Sequence, residues 1–450
     1  MKKISIRIFS IFLCLLVIIG TSAVSAGALS FPLPSDLKVM SKSVLLVSMD
    51  NGQTVYEKEA DTKMYPASTT KIMTYIIAYE NIDDVENTRI PIKQSVIDEL
   101  LNTGSSMAYL SDHIGEKVKV IDLLYSLMVP SGNDAAMVLA DYIGNGDIQV
   151  FVDKMNEKAK ELGCENTHFA NPDGLHDKDH YTTARDLLKM TNYALKLPNF
   201  KKISNTVSYT CEGDDTPLKT TNFLIDPNTE YYYMYAEGIK TGTTDEAGRC
   251  LVTTGSADGQ SYMLILLGAP YKEGEQEEYF TFSDAASLFR WCLTSLELTN
   301  IKTTETPICE ANVKYAMNKS KVNLVPEKNL NAILPTDSKP ENIVVETDVP
   351  DELEAPLKTD QVVGTASVYY VDTKSGDKQE IATVNLLPSE NIDRSGIMAT
   401  LEVTGAIFKS YWFLFVIGAI VLVVLIYFIA SKIHRARKKK NRDVKRYRNF

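Results

Sequence analysis

From 410 to 431 the chain runs without a single charge, opening on Tyr411 and Trp412 and closing near Tyr427. About 20 apolar residues suffice to cross bilayer hydrocarbon as a helix, with aromatic side chains favoured at the two interfaces. A transmembrane helix is therefore expected at 410–431. The tail that follows, 432–450, carries Lys432, Arg435, Arg437, Lys438, Lys439, Lys440, Arg442, Lys445, Arg446 and Arg448. Positive charge beside a span marks the cytoplasmic side. At the other end, 1–26 combines Lys2, Lys3 and Arg7 with an apolar run at 8–20 and Val24-Ser25-Ala26, the pattern of a secretory signal peptide. Everything between leader and span is expected outside the membrane, with the chain held at the cell membrane by a single pass.

Charge sharpens this picture. The tail contributes +9 and the leader +3 to a whole-chain charge of −11, so the segment between them carries about −23. Such a surface repels phosphate backbones, which excludes a nucleic-acid partner. The basic tail reads as a topology determinant, with anionic lipid headgroups as its natural contact. Five cysteines remain beyond the leader, with no Cys-x-x-Cys pair and no zinc spacing.

Between the ends, two compositions alternate. From 30 to 298, short strand patterns flank a run of helical ones. Residues 44–48 and 54–56 around Asp50-Asn51-Gly52 predict a hairpin, and 250–255 with 261–267 around Asp258-Gly259 predict a second. Helical periodicity falls at 68–79, 121–128, 134–143, 149–162, 184–195 and 283–296. Strands at both sequence ends with helices between them predict an α+β domain, an antiparallel sheet flanked by helices. Over 300–400 the pattern turns to alternating runs at 342–346, 362–370 and 380–387, punctuated by prolines, which predicts a small all-β domain before the membrane helix.

One residue sits oddly in the first helical segment. Ser68 precedes Ile72, Tyr75, Ile76 and Tyr79 as an N-cap would, yet the third position beyond it carries Lys71 where Glu or Gln completes a capping box. A cation at the positive end of a helix costs about 0.3–1 kcal/mol. The spacing also lets the amine lie over the serine hydroxyl. Serine is a weak nucleophile unless a base takes its proton. Lysine can serve if burial, a helix N-terminus and a second cation bring its pKa from about 10.4 toward 7, a cost of about 4–5 kcal/mol. Ser-x-x-Lys alone discriminates little, since it recurs at Ser35–Lys38 and Ser375–Lys378. Two further elements follow in order: Ser131-Gly132-Asn133 in a turn between helices, and Lys240-Thr241-Gly242 at the end of a strand-like stretch over 231–239. Ser-x-x-Lys, Ser-x-Asn and Lys-Thr-Gly in that order are the signature of penicillin-binding proteins and serine β-lactamases.

The wider residues carry a closer resemblance. Pro66 to Thr74, Pro130 to Ala136, Asn166 to Leu175 and Gly238 to Gly248 resemble the corresponding segments of D-alanyl-D-alanine carboxypeptidases, the low-molecular-weight penicillin-binding proteins. Gln361 to Thr365 and Ala382 to Leu386 resemble that family's β-rich second domain. The resemblance implies the transpeptidase fold shared with β-lactamases and the removal of terminal D-alanine from peptidoglycan stem pentapeptides. It also implies covalent inhibition by β-lactam antibiotics, and neither cofactor nor catalytic metal. In the roles it implies, Ser68 is the nucleophile, Lys71 its base, Ser131 a proton relay and Asn133 a substrate and Lys71 partner. Lys240 keeps the site electropositive, Thr241 and Gly242 help bind substrate, and Thr243 and Ser68 offer N–H groups to the oxyanion.

Two departures from the family pattern stand out. The loop after Leu267-Gly268-Ala269 commonly carries a carboxylate-holding arginine in this family. Here 270–278 has none, and its Lys272 is a point charge rather than a bidentate fork. Many relatives also end in an in-plane amphipathic helix, where this chain has a span. A β-lactamase of the same fold is the nearest alternative, but the Glu-x-x-Leu-Asn segment of class A enzymes is absent between Ser131 and Lys240. A non-catalytic cell-wall-binding protein is the other, and the intact motifs argue against it. The His- and Asp-rich loop 173–180 reads as a solvated turn rather than a metal site, His113 and His168 as structural. Tyr231-Tyr232-Tyr233 reads as either an edge strand or a sugar-stacking platform.

Overall fold

The computed structural model describes residues 31–446 except 102, 275, 318, 373–375, 377, 397–399 and 401–410, so the expected leader lies outside the described residues. Contacts divide the chain into two units, one of 1–301 with 331–345 and 367–383, the other of 302–330 with 346–366 and 384–450.

In the first unit, β1 (Ser43–Ser48) and β2 (Thr54–Lys58) form the first hairpin. After the helices come β3 (Ala236–Thr244), β4 (Gly248–Ala257) and β5 (Gln260–Ala269), giving an antiparallel five-stranded sheet of order β2-β1-β5-β4-β3. Val44 pairs with Leu266, Val252 with Ile265 and Thr241 with Leu251. The central strands are buried on both faces, so they lack the in-out alternation of a half-wet sheet. One face is covered by α6 (Phe280–Ser295), the other by α5 (Ala184–Ala194).

The other long helices are α1 (Lys71–Asn81), α2 (Val120–Met128), α3 (Asn133–Ile143) and α4 (Ile148–Glu161), beside two short ones at Gln94–Asp98 and Phe200–Ser204. Helix α1 runs through their middle, in contact with α2, α3, α4 and α5, and is buried from Lys71 to Ala78. Its Ile72, Tyr75 and Ile76 are fully buried, each worth roughly 1.5–3 kcal/mol of transfer free energy. That burial makes α1 a fixed rail for whatever its first turn carries. Tyr231–Tyr233 precede β3 rather than forming an edge strand: Tyr231 packs with Phe223, Tyr279 and Phe282, and Tyr233 stacks on Phe289.

Up to residue 395 the described residues of the second unit form strands, bridges and turns. Strands β6 (Cys309–Lys314) and β7 (Lys321–Pro326) pair antiparallel, β6 pairs in parallel with Glu352–Glu354, and Leu324–Pro326 pair with the end of the strand Lys378–Pro388. Strands at Ile343–Asp348 and Gly364–Val371, whose residues are divided between the two units, fall where the alternating runs predict them. Helix α7 (Tyr411–Arg446) contains one candidate membrane span, Tyr411–Lys438, whose apolar part at 411–431 is long enough to cross a membrane.

Candidate active site

Ser68 is not the cap its spacing suggests. Ala67–Thr70 form a tight 3₁₀ turn, and the residue preceding α1 is Thr70, with no side chain capping the helix. The hydroxyls of Thr69 and Thr70 donate back to the carbonyls of Pro66 (2.7 Å) and Ala67 (2.8 Å), which winds the turn tighter than an α-helix. Ala67 takes a left-handed φ of 46°, at a cost of roughly 1–2 kcal/mol for an L residue. A capping serine would have its oxygen engaged by backbone N–H. Here the Ser68 hydroxyl stands free of that duty, 2.9 Å from Lys71 Nζ.

Lys71 is fully buried, and Nζ makes three contacts: Ser68 Oγ, Asn133 Oδ1 at 2.6 Å and the Asp173 carbonyl at 2.6 Å. The last two groups can only accept. A neutral amine has two hydrogens and one lone pair, so the hydrogens go to those two acceptors and the lone pair faces the serine O–H. Burial brings the amine down to about 8, against the opposing charges of Asp173 and Asp134. Both carboxyls are themselves pushed up by burial. Of the three expected causes of the shift, burial leads.

The other motif residues converge on the same place. Asn133 opens α3, accepts from Lys71 and donates Nδ2–H to Ser105 Oγ at 3.0 Å. Ser131, at a left-handed φ of 65°, lines a cavity of about 240 Å³ together with Ser68, Thr241, Gly242 and Thr243. Strand β3 reaches Ser68 because Gly242 has no side chain. A Cβ there would stand 2.8 Å from the Pro66 carbonyl and 3.1 Å from the Ser68 nitrogen. Lys240 is 1% exposed and donates to the Thr241 carbonyl at 3.0 Å, outside the residues that line the cavity. Burial first, and then the charge of Lys71, push it well below the usual lysine range.

The cation in the cavity wall is one the sequence reading passed over. Arg249, at the start of β4, pairs in register with Thr243, so the two side chains share a face. Its guanidinium lies 3.5 Å over the Tyr279 ring. Lys272 is exposed and is not among the lining residues. Counting register back from Thr243 through the turn after Lys-Thr-Gly was the available signal. Two other surprises come from loop 173–180. Asp173 supplies a main-chain acceptor to Lys71, and His180 is buried rather than solvated. Among the described residues no cluster of three metal-ligating side chains occurs.

Comparison with known proteins gives a consistent picture. Residues 31–271 match the family described as D-alanyl-D-alanine carboxypeptidase, and 297–394 match the C-terminal domain of penicillin-binding protein 5. The D-alanyl-D-alanine carboxypeptidase DacF of Bacillus subtilis is 27% identical over 82% of this chain and 90% of its own length. A D-alanyl-D-alanine carboxypeptidase of Streptomyces sp. (strain K15) is 34% identical over 53% of this chain and 86% of its own. Among solved structures, the D-alanyl-D-alanine carboxypeptidase DacD of Francisella tularensis superposes with a TM-score of 0.63 at 27% identity, covering 84% of this chain and 99% of that one.

Proposed function

The chain belongs to the D-alanyl-D-alanine carboxypeptidase family, and from that premise we propose that Ser68 is the nucleophile and Lys71 its general base. It is a serine hydrolase that removes the terminal D-alanine from peptidoglycan stem peptides. The observation that carries the residue assignment is the Lys71 amine, buried, with two contacts fixed as acceptors and the third on Ser68 Oγ.

In the reaction, Ser68 Oγ attacks the carbonyl carbon of the penultimate D-alanine while Lys71 takes the hydroxyl proton. The N–H groups of Ser68 and Thr243 receive the oxyanion, a donor pair in which each member is worth about 10²–10³ in rate. Ser131 passes a proton to the departing D-alanine amine, and water then hydrolyses the Ser68 ester to free the tetrapeptide. Asn133 holds Lys71 and the substrate amide. Lys240, with its amine on the Thr241 carbonyl, supports the strand whose Thr241, Gly242 and Thr243 bind the peptide. Arg249 receives the terminal carboxylate from β4, in place of the arginine missing from 270–278. A β-lactam acylates the same oxygen, but its opened ring stays attached.

The boundaries we propose are a leader at 1–26, a catalytic domain at 30–298, a β-rich domain at 300–400, a membrane helix at 410–431 and a basic cytoplasmic tail at 432–450. This arrangement sets the site on the outer face, where peptidoglycan is, and is supported by the apolar helix and the charge asymmetry.

Incubating the full-length protein with a pentapeptide muropeptide tests the activity. Free D-alanine and a tetrapeptide are expected; cross-linked dimers instead would make it a transpeptidase, the activity named for the Streptomyces K15 structure that superposes at a TM-score of 0.51. Ser68→Ala should lose all covalent labelling by a fluorescent penicillin, and retained label would remove Ser68 as nucleophile.

A further inference from the structure

The mechanism leaves one buried imidazole unused, and it touches the turn that carries Ser68. His180 is 1% exposed, its ring edge-on to Phe169. Its Nδ1 accepts the Ala170 N–H at 3.1 Å, so the ring proton sits on Nε2. That Nε2–H faces Thr70 Oγ1 at 2.8 Å. With its oxygen accepting from the histidine, Thr70 turns its own hydrogen to the Ala67 carbonyl at 2.8 Å. A single proton arrangement satisfies all three bonds, and it requires the neutral ring. Burial brings the imidazole down to about 4, which keeps it neutral over the ordinary range.

The end of this chain matters because of peptide geometry. The Ala67 carbonyl and the Ser68 N–H belong to one planar peptide unit and point in opposite directions. Whatever fixes that carbonyl therefore aims that N–H. Gly174, at φ 90°, packs on the same oxygen so closely that a Cβ would stand 2.0 Å from it. The strained φ of Ala67 needs such restraint, since a free turn would relax out of it. A hydrogen bond donated to a peptide carbonyl also polarises the unit and strengthens its N–H as a donor.

We propose that His180 and Thr70 are positioning residues for the oxyanion hole: the Nε2–H of His180, through the Thr70 hydroxyl and the Ala67 carbonyl, aims the Ser68 N–H at the substrate carbonyl oxygen. The inference rests on the reading of Ser68 as nucleophile and oxyanion donor. It assigns to the loop 173–180 a role in transition-state stabilisation rather than in metal binding.

The test uses the full-length protein in detergent, with acylation by a fluorescent penicillin, kcat and KM on a D-Ala-D-Ala peptide, and the infrared stretch of the acyl-enzyme ester carbonyl. Thr70→Val removes both hydrogen bonds at constant shape. It should acylate about 10–100-fold more slowly, since a misaimed donor loses part of the 10²–10³ that a deleted one loses. The loss should fall on kcat with KM within about threefold, and the ester stretch should move to higher wavenumber. Thr70→Ser, which keeps the hydroxyl, should restore both rate and stretch. Ser68→Ala runs alongside: label on that variant sinks the underlying reading. An unlabelled Ser68→Ala beside a Thr70→Val that acylates within threefold of wild type, with the stretch unmoved, overturns this inference alone. Should Thr70→Val not fold, His180→Gln and His180→Asn decide. Gln places an N–H where Nε2–H lies and should stay within about tenfold of wild type; Asn, too short to reach Thr70, should lose 10–100-fold. Equal rates in that pair overturn the proposal.

Discussion

Raising the pH from 6 to 9 should speed acylation of Ser68 about 90-fold. The reasoning starts from the Lys71 amine, which must be neutral to take the serine proton and is held at about 8 by burial. The neutral fraction is then about 1% at pH 6, half at pH 8 and about 90% at pH 9. The two carboxylates that oppose the shift offer an internal control. Asp173→Asn removes a negative charge that favours the ammonium form while leaving an oxygen for the Leu175 N–H. Its profile should therefore move toward acid, and its rate at pH 6 should rise above wild type. Lys71→Arg should lie at least 10³-fold below wild type at every pH, because guanidinium does not give up a proton in this range. Stopped-flow labelling with a fluorescent penicillin gives the rates directly. A flat profile between pH 6 and 9, or a Lys71→Arg variant within tenfold of wild type, would refute the proton path.

The same burial predicts a stability effect that changes sign with pH. Between about 8, where folded Lys71 titrates, and about 10.4, where it titrates unfolded, the native chain binds fewer protons, so its stability rises with pH across that window. Below pH 8 the full cost is present, roughly 3 kcal/mol. Lys71→Met removes that cost but strands the Asn133 and Asp173 acceptors at about 1 kcal/mol each. Thermal unfolding should show it stabilised by about 1 kcal/mol at pH 7 and destabilised at pH 10.5; stabilisation at both pH values would contradict burial of a charged amine. Arg249→Met should raise KM for a D-Ala-D-Ala peptide by about 10–100-fold, as a charge-assisted hydrogen bond to carboxylate is lost. Turnover of the same peptide as its C-terminal amide should hardly change, and an equal loss on both substrates would remove Arg249 from carboxylate binding.

Much of the molecule was legible before any coordinates. Apolar periods of 3.6 and 2 are local, and they located α1 to α6 and the two hairpins of the five-stranded sheet to within a few residues. The run 410–431 announced itself by length and lack of charge alone. The motif residues, too, were found by spacing, and Ser68, Lys71, Ser131, Asn133 and Thr241 to Thr243 meet around one small cavity or one amine. Errors came where a hydrogen bond had two possible partners. Ser68 read as a cap because the pattern suits one. Thr69 and Thr70 draw the main chain into a 3₁₀ turn instead, and the hydroxyl is left for Lys71.

Residues distant in sequence were beyond such reasoning. Arg249 enters the cavity through strand register, and His180 reaches Thr70 across 110 positions of chain. The state of Lys71 belongs to neither its motif nor its helix, since burial by surrounding elements sets it. The sequence by itself determined which side chains exist to do the chemistry and which segments become helix, strand or a long apolar helix, because those follow from neighbours a few residues apart. Only the tertiary structure decided which of them are dry, which hydrogen bonds each one is left with, and so which lysine can act as a base; desolvation is a property of the assembled core and has no address in the chain.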